Sequence, residues 1–360
     1  MKRSVVAVTA VAAAAVLAMS ACSSSKNNNS PTTAAAPPAT SAPAPATSAP
    51  APATSAPATS GTLSTNGNSY KFTFIEGILG DPFYVTMSCG IKAEAANIGN
   101  ISVDVQGGKT WDVTVQTPII NAVTAAKPDA IMVAPNDVKA SRTPIAAAMS
   151  AGIKVVLVDT TLTDASGAVS QIASDNLAGG KAAFEAIKEA VPGGGKVIAI
   201  NTVAGVSTTD QRQKGFEDAA KADSAFTLLP TQFDKDDASI AAQVTSAALA
   251  ANPDIVGIFA TNLFSASGAA AAIKQANLTG KVFVVGFDAG PDQVKALQDG
   301  TVQALIAQEP YNIGVQAVDQ AVLSLTGGTT NPQIGTGSTI ITKDNLSSPE
   351  SQQALYKASC

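Results

Sequence analysis

The sequence predicts an α/β protein with two doubly wound lobes, in which helices cover both faces of mostly parallel sheets. Short runs rich in Val and Ile alternate with Ala-rich amphipathic stretches, a pattern typical of parallel sheets that are buried on both faces. Roughly 290 residues follow Tyr70, which is more than one hydrophobic core usually serves. We therefore expect two lobes.

The alternation gives the order of the elements. The apolar runs predict strands at 72–78, 130–134, 154–158, 196–200, 255–260, 282–287 and 302–307. The amphipathic stretches between them predict helices at 83–97, 139–151, 176–190, 210–222, 238–250 and 263–277.

The N-terminus predicts export. Lys2 and Arg3 precede an apolar stretch, 5–19, that is too short for a membrane span and is followed at once by polar residues. Met19-Ser20-Ala21-Cys22 resembles a bacterial lipobox, so we interpret 1–21 as a lipoprotein signal peptide and Cys22 as the acylated residue. The alternative is an ordinary cleaved signal followed by an incidental cysteine. Either way, we expect the protein outside the cytoplasmic membrane, and with acylation it is lipid-anchored there.

A tether is predicted at 22–68. Its Pro-Ala-Thr-Ser sequence recurs at 38–41, 45–48, 52–55 and 57–60. A segment without large apolar residues cannot offset its chain entropy by burial, and proline keeps it extended.

Composition excludes several classes of function. The net charge is −5 and the basic residues are scattered, which argues against a nucleic-acid partner. The chain has no histidine, which removes the Ser-His-Asp arrangement and most zinc sites. We expect no metal, no cofactor and no enzymatic activity.

Polar residues recur where the predicted strands end. Asp159, Asn262, Asp288 and Gln308 each close a strand, and 81–84 lies just beyond the first one. A single such residue is typical of a helix cap, but several at equivalent ends indicate a ligand site, because ligands bind at the carboxyl ends of parallel strands. Carboxylates and amides suit hydroxyl groups, and aromatic faces suit the C–H side of a sugar.

These residues carry a family resemblance. The stretch from about Tyr70 to Lys343 resembles the ribose-binding branch of the periplasmic binding proteins. The resemblance is carried by short motifs at 81–84, 151–153 with 158–159, 172–176, 212–216, 285–288 and 306–308. It implies two Rossmann-like lobes, joined by three crossovers, that enclose a ligand by hinge closure.

The resemblance also implies boundaries and partners. Residues 69–174 and 309–337 would form the N-terminal lobe, and 175–308 with 338–360 the C-terminal lobe and tail. The protein would act as a monomer, bind a small neutral carbohydrate and deliver it to an ABC transporter permease. A receptor that presents bound sugar to a membrane partner is an alternative. A transcription factor of this fold would need a DNA-binding segment where the signal peptide lies, and an enzyme would need Asp159 and Asp288 as an acid/base pair.

The ligand-binding residues implied by the resemblance come from both lobes. Those of the first lobe are Asp81, Phe83, Tyr84 and Asp159, with Thr160 beside them; those of the second are Asn176, Arg212, Asn262 and Asp288, with Phe233 stacking opposite and Gln308 reaching in from a crossover. Arg212 has independent support, because we place it in the first turn of a helix beginning near Thr209, where a cation opposes the helix dipole. Trp111 could add an aromatic wall, but a structural role is the more usual one.

Two departures from the family, at Asp81 and Thr160, bear on the ligand, and a third, at Leu263, bears on the second-lobe loop. Asp81 stands where Asn is common, Thr160 where ribose binders carry Arg, and Leu263 in place of the Asp of an Asn-Asp pair. Three carboxylates facing one guanidinium favour a sugar alcohol of four or five carbons, because each of its oxygens can donate a hydrogen bond. A pentose or hexose such as ribose or xylose is the alternative.

Cys89 and Cys360 remain once Cys22 is acylated, and the compartment is oxidising. A disulfide would pin the C-terminal tail to the first helix. The alternative is a packed Cys89 and a frayed terminus.

Overall fold

A computed structural model describes residues 63–360. The predicted signal peptide 1–21, the lipidation site Cys22 and positions 23–62 of the predicted tether lie outside the described residues. Within 63–360, no helix is long and apolar enough to cross a bilayer.

Strands and helices alternate along almost all of this part of the chain. The strands are β1 (Tyr70–Glu76), β2 (Ile101–Gly107), β3 (Ala130–Val133), β4 (Lys154–Val158), β5 (Ser170–Ser174), β6 (Gly195–Asn201), β7 (Phe226–Leu228), β8 (Gln232–Phe233), β9 (Ile255–Ala260), β10 (Phe283–Phe287), β11 (Ala304–Gln308), β12 (Gln333–Thr336) and β13 (Ser338–Thr342). The helices are α1 (Pro82–Ile98), α2 (Val113–Ala126), α3 (Arg142–Ser150), α4 (Asn176–Ala190), α5 (Ser207–Ala222), α6 (Ala238–Ala251), α7 (Leu263–Gln275), α8 (Pro291–Asp299), α9 (Pro310–Thr326) and α10 (Pro349–Ala354).

The strands form two sheets. The first has the order β12-β5-β4-β3-β1-β2 and is parallel throughout. The second has the order β13-β11-β10-β9-β6-β7, with β8 also paired to β6, and only β13 of its described strands runs antiparallel. Central strands such as β3 are buried along their whole length, which is why they read as unbroken apolar runs in the sequence.

The chain passes between the sheets three times. It leaves the first sheet after β5, returns after β11 and crosses again between β12 and β13. The predicted fold class, two doubly wound lobes joined by three crossovers, is confirmed.

Some elements escaped the sequence analysis for physical reasons. The edge strand β2 alternates apolar and polar residues, so it has no continuous apolar run. Helix α2 contains Pro118 and several β-branched residues, which lower its intrinsic helix propensity, and tertiary packing decides its conformation. Helices α8 and α9 were also unassigned, although each begins with a proline at its first position.

Cys89 of α1 and Cys360 at the C-terminus are joined by a disulfide, across a sequence separation of 271 residues. The tail therefore ends on the first helix of the first lobe.

Candidate ligand-binding site

A cleft lies between the two lobes at the carboxyl ends of their strands, where ligands bind in open α/β sheets. It encloses about 410 Å³, including the space at its opening. Eight of the residues expected to bind ligand line it: Asp81, Phe83, Tyr84, Asp159, Arg212, Asn262, Asp288 and Gln308.

The start of α1 builds the first-lobe wall. Asp81 is the N-cap of this helix, and its Oδ1 accepts a hydrogen bond from the Phe83 backbone N–H at 2.8 Å. Phe83 and Tyr84 follow in the first turn and contact each other edge to face, with ring centroids 5.1 Å apart. The Tyr84 hydroxyl donates to Asp159 Oδ2 at 2.7 Å. Tyr84 therefore both presents an aromatic ring and fixes the orientation of Asp159.

Asp159 and Asp288 occupy equivalent positions in the two lobes. Each directly follows a strand, β4 or β10, with the left-handed φ values of 61° and 80° that Asp tolerates better than most residues. Each backbone N–H donates at 2.8 Å to the neighbouring strand, Asp159 to Ile172 O and Asp288 to Ile306 O. Sparsely populated backbone conformations held in place by such bonds are a feature of functional sites.

Arg212 supplies the positive charge of the second-lobe wall. Its Nε donates to Asn176 Oδ1 at 2.8 Å and its Nη1 to Thr261 O at 3.0 Å. The guanidinium carbon lies 3.8 Å from the centroid of the Phe287 ring, a cation–π contact. Only 3% of the residue is exposed, so the guanidinium is held in one orientation.

Two glycines explain the position of Arg212. A Cβ atom on Gly180 of α4 would lie 1.9 Å from the Arg212 carbonyl oxygen, and one on Gly215 of α5 would lie 2.1 Å from the Leu177 carbonyl oxygen. Helices α4 and α5 therefore pack backbone against backbone, which brings Arg212 beside Asn176 at the start of α4.

Two amide side chains each donate a hydrogen bond to one carboxylate of the second-lobe wall. Asn262 caps α7 by accepting from Ser265 N–H at 2.9 Å, and its Nδ2 donates to Asp236 Oδ1 at 2.5 Å. Gln308, at the end of β11, accepts from Ser174 Oγ at 2.8 Å and donates to Asp288 Oδ1 at 2.6 Å. The amide donors of this wall are thus directed at its own acids.

Residues 72–329 match the periplasmic binding protein domain, which is more than half of the chain. The chain belongs to the periplasmic binding protein family. Members of this extracytoplasmic family bind solutes without transforming them, and the chain is not an enzyme.

Individual periplasmic binding proteins are similar over most of the chain. The ribose import binding protein RbsB of Escherichia coli (strain K12) is 33% identical over 271 residues, which are 74% of this chain and 89% of that protein. A solved ABC transporter solute-binding protein from Agrobacterium vitis, bound with α-D-tagatopyranose, is 39% identical, covers 80% of this chain and all of its own, and has a TM-score of 0.78. A second from the same organism, with bound D-fucose, is 30% identical over 79% of this chain and 100% of its own, with a TM-score of 0.76.

Three of the expected ligand residues do not line the cleft of this periplasmic binding protein. Thr160 is buried and donates from Oγ1 to Pro135 O at 2.8 Å, so its hydroxyl faces the protein. Asn176 acts on the site through Arg212, as described above. Phe233 is 43% exposed at the end of β8, a two-residue strand at the border of the second sheet. In this position Phe233 does not have the stacking role that the resemblance implied.

Other lining residues were missed or undervalued. Asp236 lies on the cleft three residues beyond Phe233, with a left-handed φ of 60°, inside an acidic run that is typical of a turn. Trp111 lines the cleft, and its Nε1 donates to Asn136 O at 3.0 Å, which also gives it a structural role. The remaining members are Thr202, Val206, Thr208 and Thr209. A run of acids after a strand was the one available signal for Asp236.

The helix that carries Arg212 also begins earlier than expected. It starts at Ser207, which places Arg212 in the second turn rather than the first. The argument from the helix dipole is therefore wrong, because that effect falls off within the first turn.

The cleft concentrates negative charge, with four carboxylates around one guanidinium. Burial raises the pKa of Asp81 well above its usual value, to which Asp288 adds by repulsion. Burial raises the pKa of Asp159 to about 6 and that of Asp236 to about 7. The pKa of Asp288 is also raised by burial, against the attraction of Arg212. Hydroxyl groups that donate to these oxygens would relieve the loss of solvation. Within 63–360, no cluster of acids or cysteines is arranged to hold a metal ion.

Proposed function

We propose that this periplasmic binding protein is the monomeric receptor of an ABC importer for a small neutral carbohydrate. One observation carries the proposal: a cleft between the lobes combines aromatic rings of the first lobe and a guanidinium of the second with buried carboxylates of both. Names given to the relatives support it, since one is a ribose import binding protein and two were solved with α-D-tagatopyranose and D-fucose.

Each part of the site has a role in capture. The rings of Phe83, Tyr84 and Trp111 offer apolar faces to the C–H side of a carbohydrate. The carboxylates accept hydrogen bonds from its hydroxyl groups, and Arg212 donates to its oxygens. Because the two walls belong to different lobes, a ligand that touches both stabilises the closed arrangement of the lobes over an open one.

A thermal-shift screen tests this proposal. The panel contains pentoses, hexoses, sugar alcohols and, as controls, amino acids of similar size. A ligand at a hundred times its Kd stabilises the folded protein by about 2.7 kcal/mol, which is readily detected. We expect a shift from at least one neutral carbohydrate, and the carbohydrate is recovered unchanged after incubation. Shifts from amino acids alone, or chemical conversion of the sugar, would contradict the proposal.

Within this class we propose a sugar alcohol of four or five carbons. The cleft has four carboxylates, which only accept when ionised, and the amides of Asn262 and Gln308 already donate to two of them. The ring oxygen of a cyclic sugar only accepts, so it adds one more acceptor to a site that has few donors. Every oxygen of a sugar alcohol can donate. Leaving a buried acceptor unpaired costs about 1–3 kcal/mol, which corresponds to roughly five- to more than a hundredfold in affinity.

A cyclic pentose or hexose is the second candidate. It is favoured by the ring sugars named for the solved relatives and by the N–H groups of Arg212 that bond neither Asn176 nor Thr261. Calorimetric titration with threitol, erythritol and ribose separates the two candidates. Tight binding of ribose without any response to the alcohols would decide for the ring sugar.

We further propose that Cys22 carries the lipid anchor and that 22–68 is the tether that separates the lobes from the membrane. The lipobox-like sequence ending at Cys22 supports this, as does the extracytoplasmic character of the family. Metabolic labelling with a palmitate analogue tests it, with Cys22→Ala against Ser23→Ala as the matched control. Label is expected in the control and not in Cys22→Ala; equal labelling would contradict the anchor. A receptor that presents bound sugar to a membrane partner would share this anchor, and uptake of labelled ligand by cells distinguishes the importer.

A further inference from the structure

The C-terminal tail crosses from one lobe to the other. Helix α10 packs on β13 of the second sheet, and the chain then runs on to Cys360, which is bonded to Cys89 on α1 of the first lobe. The backbone N–H of Lys357 donates to Thr86 Oγ1 of α1 at 2.7 Å. The lobes therefore have a fourth covalent connection beside their three crossovers.

Tyr356 lies in the middle of this path and is 5% exposed. Its backbone N–H donates to Ala289 O at 3.0 Å, directly after Asp288. Its ring contacts Phe83 edge to face, with centroids 5.8 Å apart. One side chain of the tail thus touches the ligand wall of the first lobe and the strand end that carries Asp288.

The Tyr356 hydroxyl is bonded on both sides. It accepts from the Gln308 backbone N–H at 2.8 Å and donates to Asp288 Oδ1 at 3.0 Å. Asp288 Oδ1 also accepts from Gln308 Nε2 at 2.6 Å, so two donors fix the same oxygen. The backbone N–H of Leu263 also bonds the Asp288 carboxylate, no described side-chain donor reaches its Oδ2, and the carboxylate lines the cleft.

We propose that residues 355–360 form a strap across the lobes, in which Tyr356 is a positioning residue for Asp288 and the Cys89–Cys360 disulfide holds the strap in place. The inference rests on the proposed function, because it assigns the strap a part in ligand affinity. Without the disulfide, the last residues of the chain are free to fray, and ordering Tyr356 then costs conformational entropy at each binding event. Affinity therefore depends on the oxidation state of a disulfide that lies outside the cleft.

Tyr356→Phe tests the positioning role, because it removes the donor and keeps the ring packed on Phe83. Tyr70→Phe, the same change on β1 of the first lobe, is the control. With the best ligand of the thermal-shift screen, we expect calorimetry to give an affinity about five- to tenfold lower for Tyr356→Phe and unchanged for Tyr70→Phe.

The pH profile of affinity separates positioning from a purely structural role. The hydrogen bond from Tyr356 lowers the pKa of Asp288, so its loss raises that pKa. When the pH is lowered, the affinity of Tyr356→Phe should therefore begin to fall at a higher pH than the affinity of the wild type. Besides Tyr356, the groups that act on Asp288 are Arg212, Gln308, the backbone N–H of Leu263, Asp81, Asp159 and Asp236, and all are retained in the variant. An unshifted profile would overturn the positioning role.

The double variant Cys89→Ser/Cys360→Ser tests the strap. We expect a severalfold loss of affinity, and no further loss when Tyr356→Phe is added, because both changes release the same contact. Lys357→Ala, which removes an exposed side chain of the tail and leaves its backbone bond, is the control. Wild-type affinity in the double variant would overturn the strap alone, whereas a wild-type protein that binds no carbohydrate would overturn the proposed function.

Discussion

The two walls of the cleft differ in chemistry. The first-lobe wall offers aromatic rings and the carboxylates of Asp81 and Asp159, and its described lining residues include no cation. The second-lobe wall carries Arg212 within a network of amides and acids. The first wall can stack and accept, and the second can also donate.

This difference explains why a ligand must be enclosed. A polyhydroxylated molecule that is bound by the first wall alone would find acceptors and apolar faces but no charged donor. The complete set of partners exists only where both lobes meet. Under the proposed function, binding and lobe closure are therefore coupled through the chemistry of the walls.

Removing the cation should have the largest effect on binding. Arg212→Ala takes away the guanidinium of the cleft and leaves four carboxylates without a positive neighbour. Charged hydrogen bonds contribute roughly 1.5–3 kcal/mol each, so we expect a loss of affinity approaching a hundredfold by calorimetry. Arg142→Ala, which removes an ion pair with Asp164 and hydrogen bonds to Ser166 away from the cleft, is the control. Equal affinities of the two variants would show that Arg212 does not bind ligand.

The two equivalent aspartates allow a direct comparison of the walls. We expect Asp288→Ala and Asp159→Ala each to lower affinity by about tenfold or more, because each removes a buried acceptor from a strand end. Both variants should remain folded, because removal of a desolvated carboxylate offsets part of the cost of placing Ala at a left-handed φ and of leaving buried donors without an acceptor. Affinity and unfolding temperature together check this. Wild-type affinity in either variant would show that its aspartate does not bind ligand.

The same carboxylates predict a pH dependence of stability. The unfolded chain releases their protons near about pH 4, whereas folded Asp159 and Asp236 release them at about 6 and about 7. Between these pH values the folded protein holds more protons than the unfolded chain, so its free energy of unfolding falls as the pH rises from about 4 to about 7. We expect the ligand-free protein to melt at a lower temperature at pH 8 than at pH 5.5, with a smaller difference in Asp159→Asn. A melting temperature that rises steadily over this range would contradict the burial of these acids.

Phe233 should show the smallest effect. Phe233→Ala removes a ring that is 43% exposed and lies off the cleft, so we expect a change in affinity of less than about twofold. Phe83→Ala removes a ring of the cleft wall and should cost several times more. A severe loss of binding in Phe233→Ala would restore the stacking role expected from the sequence.

The sequence predicted those parts of the site that strands position. Asp159, Asp288 and Gln308 could be found because an apolar run identifies a buried strand, and a polar residue at its end lies on the sheet edge where ligands bind. The sequence could not show which of Phe233 and Asp236 lies on the cleft, because β8 has only two residues and gives no alternation from which to predict the direction of a side chain. Tyr356 was also out of reach, because it arrives from a distant part of the chain through a disulfide and belongs to no predicted element.

The fold was easier to predict than the details of its helices. Central strands are buried on both faces and are visible in composition alone, as in β3 and β9. The start of α5 could not be placed correctly from Thr209, because Ser207 and Thr208 before it are equally good helix-start residues. Two residues of error moved Arg212 by just over half a turn relative to the start of the helix, while its contact with Asn176 depended on glycines in two helices.

A matched pair of ligands tests the central claim most directly. Xylitol and xylose have the same five carbons, but the ring oxygen of xylose cannot donate a hydrogen bond to the carboxylates of the cleft. Calorimetric titration of both into one preparation of wild-type protein should show a single site that prefers xylitol by tenfold or more. Tighter binding of xylose would contradict the account of an acceptor-rich cleft.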